Sequence, residues 1–217
     1  MNNNILLLNK ANIKSGKLLS LIPEFYELKN VVENSKWHNK ESVFDHTLSV
    51  LNDLEKILLN LNKGIKEFLN KKIDSNTSTR KDLLKISVLF HDIAKTETIV
   101  NNDDGSTLCP DHEEKGSIKT KKILKRFKLS NKEIEFVSNI VKNHYLIHGI
   151  LTPLNQNFQK EFVNFKERFI NSMYWELILL GFADTIGSYL VETYPDEFKS
   201  RISFYKKEIK KMPLDKK

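Results

Sequence analysis

A chain of 217 residues, 40% hydrophobic and 29% charged, has an ordinary soluble make-up and the length for a sizeable core in one domain or at most two small ones. Its longest apolar runs (ILLL at 5–8, LILLGFA at 177–183) fall far short of a membrane span, the start MNNNILLLNK lacks the pattern of a signal peptide, and the single cysteine, Cys109, excludes an internal disulfide framework. A net charge of +7 admits anionic partners, nucleic acid among them, although solvated lysines of a Lys- and Asn-heavy sequence explain an excess of this size more simply. A cytoplasmic location without a membrane partner is expected.

Helical periodicity dominates, and no run of alternating strands stands out. A first short helix is predicted over Lys17–Lys29, interrupted at Pro23, followed by a loop containing NSKWHNKE. Ser42 as N-cap and Asp45 three residues on read as a capping box. The helix they open carries Val50, Leu51, Leu54, Ile57, Leu58 and Leu61 on one stripe, with His46 one turn before it. IDSNTSTRKD is a polar break. The next helix is apolar nearly all round, through Leu83, Leu84, Ile86, Val88, Leu89 and Phe90, and it stops on His91 and Asp92. After the turn-rich TIVNNDDGSTLCPD, His112 opens a helix with Gly116, Thr120, Ile123, Leu124 and Phe127 inside and Lys115, Lys119, Lys122 and Arg126 outside. That basic face reads as solvated rather than as an RNA surface. Ser130 to Glu133 forms a second capping box, for a helix whose inner face ends on His144. HGILTPLN breaks it. Helices near 157–170 and 173–193 and a basic C-terminal helix over 196–211 complete the reading. The fold class is all-α, a single-domain helical bundle of about seven to nine helices over 1–217, with a core at about 18–193 and a basic helix and tail at 196–217.

Six polar residues fall on apolar helix faces or at their ends: His46, His91, Asp92, His112, His144 and Asp184. Any one of them is an ordinary hydrogen-bonded core residue. Together they are the donor set that a divalent cation needs in a low-dielectric pocket, neutral imidazoles and anionic carboxylates. His91 and Asp92 stand about 100° apart around one helix, so both reach an ion at its end. His46 and Asp184 complete that ring, and His112 and His144 can hold a second ion with Asp92 bridging. A cation also supplies the charge without which a buried carboxylate is costly. The mixed N/O set favours Mn, Fe, Ni, Co or Zn over Mg alone, as one or two ions.

The ordered pattern His46 … His91-Asp92 … Asp184 resembles the HD-domain superfamily of metal-dependent phosphohydrolases, and His112 and His144 resemble the extra histidines of its two-metal members. The stretches LIPEFYELKNV, WHNKESVFDHTLSVL, LFHDIAK, HEEKGS, RFKLSNKEIEFV and KNH resemble the HD domain that follows the nucleotidyltransferase head of bacterial tRNA nucleotidyltransferases (CCA-adding enzymes). This likeness runs over roughly residues 18 to 190. Only some forty residues precede His46, so no such head is expected, and CCA addition by this chain alone is not expected. Ala94 stands where HDIGK has glycine. The acidic pair of the alarmone hydrolases is absent from KTET, and so is the Gly-Tyr-Pro motif of the cyclic-di-GMP hydrolases.

The resemblance implies a phosphomonoesterase or phosphodiesterase acting on a nucleotide or RNA-end type of ester, with RNA 3′ ends as a further partner class. An ion would acidify a water, and the hydroxide would attack phosphorus. A reading from another class is a nucleotide- or RNA-binding module with a structural metal and no turnover. Asp92 and Lys95 are the catalytic candidates. Lys95 is one turn after Asp92 and can offer charge to the scissile phosphate, although a lysine there also suits the helix dipole. His148, one turn after His144, is a substrate-binding candidate. Glu113 can orient His112, and His38 beside Trp37 reads as a rim or structural residue.

Overall fold

The computed structural model describes residues 5–74 and 78–211. Two short helices, α1 (Lys10–Lys14) and α2 (Pro23–Glu27), lead into an antiparallel hairpin of β1 (Val32–Asn34) and β2 (Asn39–Ser42). Next come α3 (Val43–Asn60), α4 (Lys63–Leu69), α5 (Arg80–Phe90) and the single turn α6 (Lys95–Thr98). A second hairpin, β3 (Val100–Asn101) and β4 (Thr107–Leu108), precedes α7 (His112–Leu124) and α8 (Asn131–Asn143). The chain closes with α9 (Leu146–Ile150), α10 (Phe158–Phe169), α11 (Tyr174–Gly187), α12 (Leu190–Thr193) and α13 (Pro195–Lys210). The expected tail beyond α13, residues 212–217, lies outside the described residues, as do residues 75–77 of the polar break. No described helix is long and apolar enough to cross a membrane.

The protein is all-α, as its periodicity requires. The described residues carry thirteen helical segments, more than the seven to nine expected, because five have only four or five residues and span too little chain to show a 3.6-residue period. The segment expected as one helix over 17–29 is a run of turns, then α2, then a 3₁₀ turn at Leu28–Asn30. Pro23 is the first residue of α2, so it starts a helix instead of interrupting one. The two hairpins were read as loops, and strands of two to four residues carry no usable alternation.

Local signals set the helix starts. The Ser42 hydroxyl accepts from the Asp45 N–H at the head of α3, and full capping boxes, Thr79 with Asp82 and Ser130 with Glu133, open α5 and α8. α11 is buried nearly all round and lies between α3 and α13, while α5 packs on α3 and α8, and α7 along α8. α11 ends at Gly187, where a Cβ would stand 3.0 Å from Val50 Cγ2 and 3.1 Å from its backbone nitrogen; glycine lets α11 approach α3 that closely. The extended backbone of Ser188 then splits the predicted 173–193 helix and turns the chain back over the first hairpin, where the Tyr189 N–H donates to the Trp37 carbonyl at 2.9 Å.

Two buried charges tie the bundle ends together. Arg80 donates to Glu176 at 2.6 Å and to the Ser172 carbonyl at 2.5 Å, with its guanidinium over the rings of Phe68 and Phe136. Glu208 of α13 accepts from Tyr174 Oη and from Lys211, both at 2.6 Å, and from Lys166 at 3.3 Å. Burial works to raise the Glu208 pKa, but the bonds from Lys211 and Tyr174 and the charges of Lys166 and Lys211 bring it below the usual carboxylate value.

Two predictions follow from this packing. A Cβ on Gly181 would lie 2.6 Å from Tyr205 Oη and 2.8 Å from Ile147 Cγ2, both on fully buried side chains. Gly181→Ala is therefore expected to lose about 1–3 kcal/mol in chemical denaturation, whereas Gly149→Ala, with nothing near its Cβ, is expected to be neutral or slightly stabilising. For Glu208, a pKa depressed by folding means that its stabilisation is present above the unfolded value of about 4.3 and is lost as the pH falls below it. Glu208→Gln should flatten the fall of stability between about pH 5 and pH 3; an acid limb identical to that of the wild type contradicts the assignment.

Candidate metal centre

His46 stands in the first turn of α3, His91 and His144 cap the C-termini of α5 and α8, and His112 opens α7. Asp92 and Asp184 come from the turn after α5 and from the last turn of α11. Five of the six, His46, Asp92, His112, His144 and Asp184, line one cavity of about 460 Å³. The sixth, His91, is buried against Asp92, its Nε2 3.2 Å from Oδ2.

Three of the histidines are held by one device. His91 Nδ1 is 2.7 Å from the Val88 carbonyl, His112 Nδ1 2.7 Å from that of Cys109, and His144 Nδ1 2.7 Å from that of Val141. In each case the acceptor is the carbonyl three residues back. A carbonyl oxygen can only accept, so each Nδ1 carries a hydrogen and each ring turns its Nε2 the other way. All three Nε2 atoms face Asp92: that of His91 is 3.2 Å from Oδ2, while those of His112 and His144 are 3.4 Å and 3.8 Å from Oδ1. His91 Nε2 makes no aligned hydrogen bond although it is fully buried, and, against its burial, the charge of Asp92 raises the His91 pKa. Neutral rings converging in this way on a carboxylate repel it unless a cation, a proton or a metal ion, lies among them. Glu113, which as a first-turn acid suits the helix dipole, is 3.5 Å from His112 Nδ1, and the Cys109 carbonyl is what orients the ring.

The two oxygens of Asp92 divide the set. Oδ2 faces His46 (4.0 Å) and His91, and Oδ1 faces His112 and His144. The groups His46/His91/Asp92 and Asp92/His112/His144 each bring ligand atoms within 4.8 Å of one another, so each can hold an ion. Metal–ligand bonds of about 2.0–2.1 Å put neighbouring donors roughly 3.0–3.4 Å apart, close to the spacings here. The donors therefore fit one or two divalent cations by atom type and spacing, His46 joining them on giving up the Nε2 hydrogen that it shares with Asp184.

Asp184 lies beyond His46, accepting from its Nε2 at 3.0 Å, and is also 3.0 Å from His148 Nε2, outside hydrogen-bond alignment. His46 Nδ1 is 3.5 Å from Glu41. Burial works against charge on His46, but the bonds to Asp184 and Glu41 and the field of Asp92 raise its pKa to about 10. Burial likewise opposes the ionised forms of Asp92 and Asp184, yet His91 and Lys95 hold Asp92, and His148 and His46 hold Asp184, well below the carboxylate range. His144 is driven low by burial and by the charges of His91 and His112, which keeps its ring neutral.

Lys95 is buried in the cavity wall, 2.9 Å from Asp92 and 2.7 Å from Glu33. Burial opposes its charge, and Asp92 and Glu33 overcome that and raise its pKa. His38, read as a rim or structural residue, is a buried cavity residue bonded through Nδ1 to Glu41 at 3.0 Å, with Nε2 3.4 Å from Glu33. Glu33 and Glu41 were not foreseen. They sit on the first hairpin, where helical periodicity offers no signal. His148 does face the same cavity as His144, from the separate turn α9.

Residues 43–161 match the family described as HD domain, more than half of the 217-residue chain.

The tautomer pattern is open to direct measurement. In metal-free protein, ¹⁵N-resolved NMR is expected to find a hydrogen on Nδ1 of His91, His112 and His144. A neutral ring whose only hydrogen is on Nε2, at any of the three, contradicts the geometry.

Proposed function

The chain belongs to the HD-domain family, and from that premise we propose that it is a metal-dependent phosphohydrolase, a phosphomonoesterase or phosphodiesterase acting on a nucleotide or RNA-end type of ester. The observation that carries this reading is the convergence of the Nε2 atoms of three backbone-locked imidazoles on one buried carboxylate. His46, His91, Asp92 and Asp184 are the proposed holders of one cation, and His112 and His144, with Asp92 shared, of a second. A divalent cation there supplies Lewis acidity toward phosphoryl oxygen and lowers the pKa of a water.

The protein groups have their own tasks. Asp92 spans both ligand groups and keeps them a fixed distance apart. Lys95 neutralises Asp92 and Glu33 and presents its ammonium at the cavity wall, where an incoming phosphate gains a fixed positive partner. His148, its Nε2 3.0 Å from Asp184 and its Nδ1 without a hydrogen bond, is the proposed contact to substrate oxygen. The likeness of LIPEFYELKNV, WHNKESVFDHTLSVL and KNH to tRNA nucleotidyltransferase HD domains supports RNA 3′ ends among the substrates.

Elemental analysis of the purified protein, with a metal-supplemented screen of 2′-, 3′- and 5′-nucleotides, 2′,3′-cyclic nucleotides and bis-p-nitrophenyl phosphate, tests the proposal. One or two equivalents of transition metal and turnover of one ester class are expected. Asp92→Ala is expected to lose bound metal and to drop turnover by at least about a hundredfold. Full metal content with full turnover in that variant would falsify the ligand assignment, and metal without turnover on any ester would make the chain a binding module.

A further inference from the structure

Above the metal centre, the cavity changes character. Its upper wall is a chain of rings: Trp37 meets His148 edge-to-face at 4.9 Å between centroids, and His148 meets Tyr145 at 6.1 Å. Tyr145 continues to His112 at 6.2 Å, so the wall runs from the mouth down to the metal ligands. Leu108, 60% exposed, and Pro110 flank the mouth, and the Tyr145 ring is 53% exposed. These side chains serve no core.

Trp37 is nevertheless held rigidly. The guanidinium of Arg201 lies 4.9 Å from its ring. Arg201 is itself buried and fixed by two bonds to Glu197, at 2.9 Å and 2.7 Å, and by one to the His148 carbonyl at 3.2 Å. The loop backbone is tied as well, through the Tyr189 N–H to the Trp37 carbonyl and the Thr193 hydroxyl to the Lys36 carbonyl at 2.5 Å. Lys36 pairs with Glu197 at 3.2 Å. A partly buried ring fixed this firmly in a cavity wall is arranged to meet a planar ligand.

We propose that the wall Trp37–His148–Tyr145 is a clamp for a nucleobase, which stacks there while the phosphate of the same molecule lies on the His/Asp floor; the second half of that statement rests on the phosphohydrolase reading. The cavity volume of about 460 Å³ is that of a small-molecule pocket. A ligand with one anionic and one planar end covers both surfaces, whereas a sugar phosphate leaves the rings bare. Stacking tolerates every base, so the clamp selects nucleotides as a class rather than one base. Tyr145 and His148 lie within the matched HD stretch, whereas Trp37 and the residues that brace it, 188–201, lie outside it, so one side of the base site comes from parts of the chain that the family match does not include.

The test uses the full chain carrying Trp175→Phe, which leaves Trp37 as its sole tryptophan. Adenosine and cytidine are expected to quench its fluorescence, and ribose is not. Because a nucleoside has no phosphate, this arm is independent of metal and turnover. In the otherwise native protein, the ratio of kcat/KM for mononucleotides to that for glycerol phosphate is expected to fall about tenfold in Trp37→Ala and in Tyr145→Ala. Trp37→Phe and Tyr145→Phe should restore it. Tyr145 is half exposed, so its variants read the clamp even where Trp37→Ala unsettles the fold. Ribose quenching as strongly as nucleoside, or an unchanged ratio in Tyr145→Ala, overturns the clamp. A wild-type protein that hydrolyses no ester overturns the phosphohydrolase reading, and quenching by nucleosides then still decides the base site.

Discussion

The structure depends on one buried carboxylate. Asp92 sits at the end of one of the most apolar helices, with Lys95 and the Nε2 faces of four histidines around it. In a low-dielectric interior an ionised carboxylate survives only among positive charges. Lys95 offers one but divides it with Glu33. Protonated His46 offers another, shared with Asp184 and Glu41. The remaining three imidazoles spend their Nδ1 hydrogens on backbone carbonyls, so only the Nε2 of each is left to face Asp92. Acids thus gather more closely than the side-chain cations balance, a difference that a divalent cation would make up. The converging helix ends of α5 and α8 and the start of α7 serve this one demand.

That logic explains what a sequence discloses. The six polar residues were legible because each interrupts an apolar pattern: His46 at the head of the α3 stripe, His91 and Asp92 after an unbroken apolar run, Asp184 inside LILLGFADTIG. The N-cap at Ser42, half of the expected box because Asp45 accepts from the Ser42 hydroxyl and not from its backbone, and the full capping box at Ser130 were legible for the same reason, since fixed residue types at fixed spacing carry a local hydrogen bond. Glu33 and Glu41 were not, because their burial comes from a hairpin too short to impose a period. The break at Ser188 was hidden as well. No helix-breaking residue marks it apart from Gly187, whose role is set by Val50 on another helix.

The aromatic mouth illustrates a further limit. Trp37, Tyr145 and Arg201 lie far apart in the chain, and each is unremarkable alone. An arginine in a basic C-terminal helix reads as solvated charge, and only the folded chain reveals it as a buried brace between Glu197, the His148 carbonyl and a tryptophan face. Contacts of this kind follow from topology, which periodicity does not encode.

The way the imidazoles are held also bears on how such a centre tolerates mutation. Metal-bound histidines commonly depend on a second side chain to hold the ring, and one base change can remove it. His46 is in that position, with Glu41 behind it. His91, His112 and His144 rely on backbone oxygens of residues 88, 109 and 141, which every amino acid possesses. Substituting Val88, Cys109 or Val141 changes packing but cannot delete the orienting group. Half of this centre is thereby protected from genetic drift in its surroundings, and homologues can vary at those three positions without giving up the geometry.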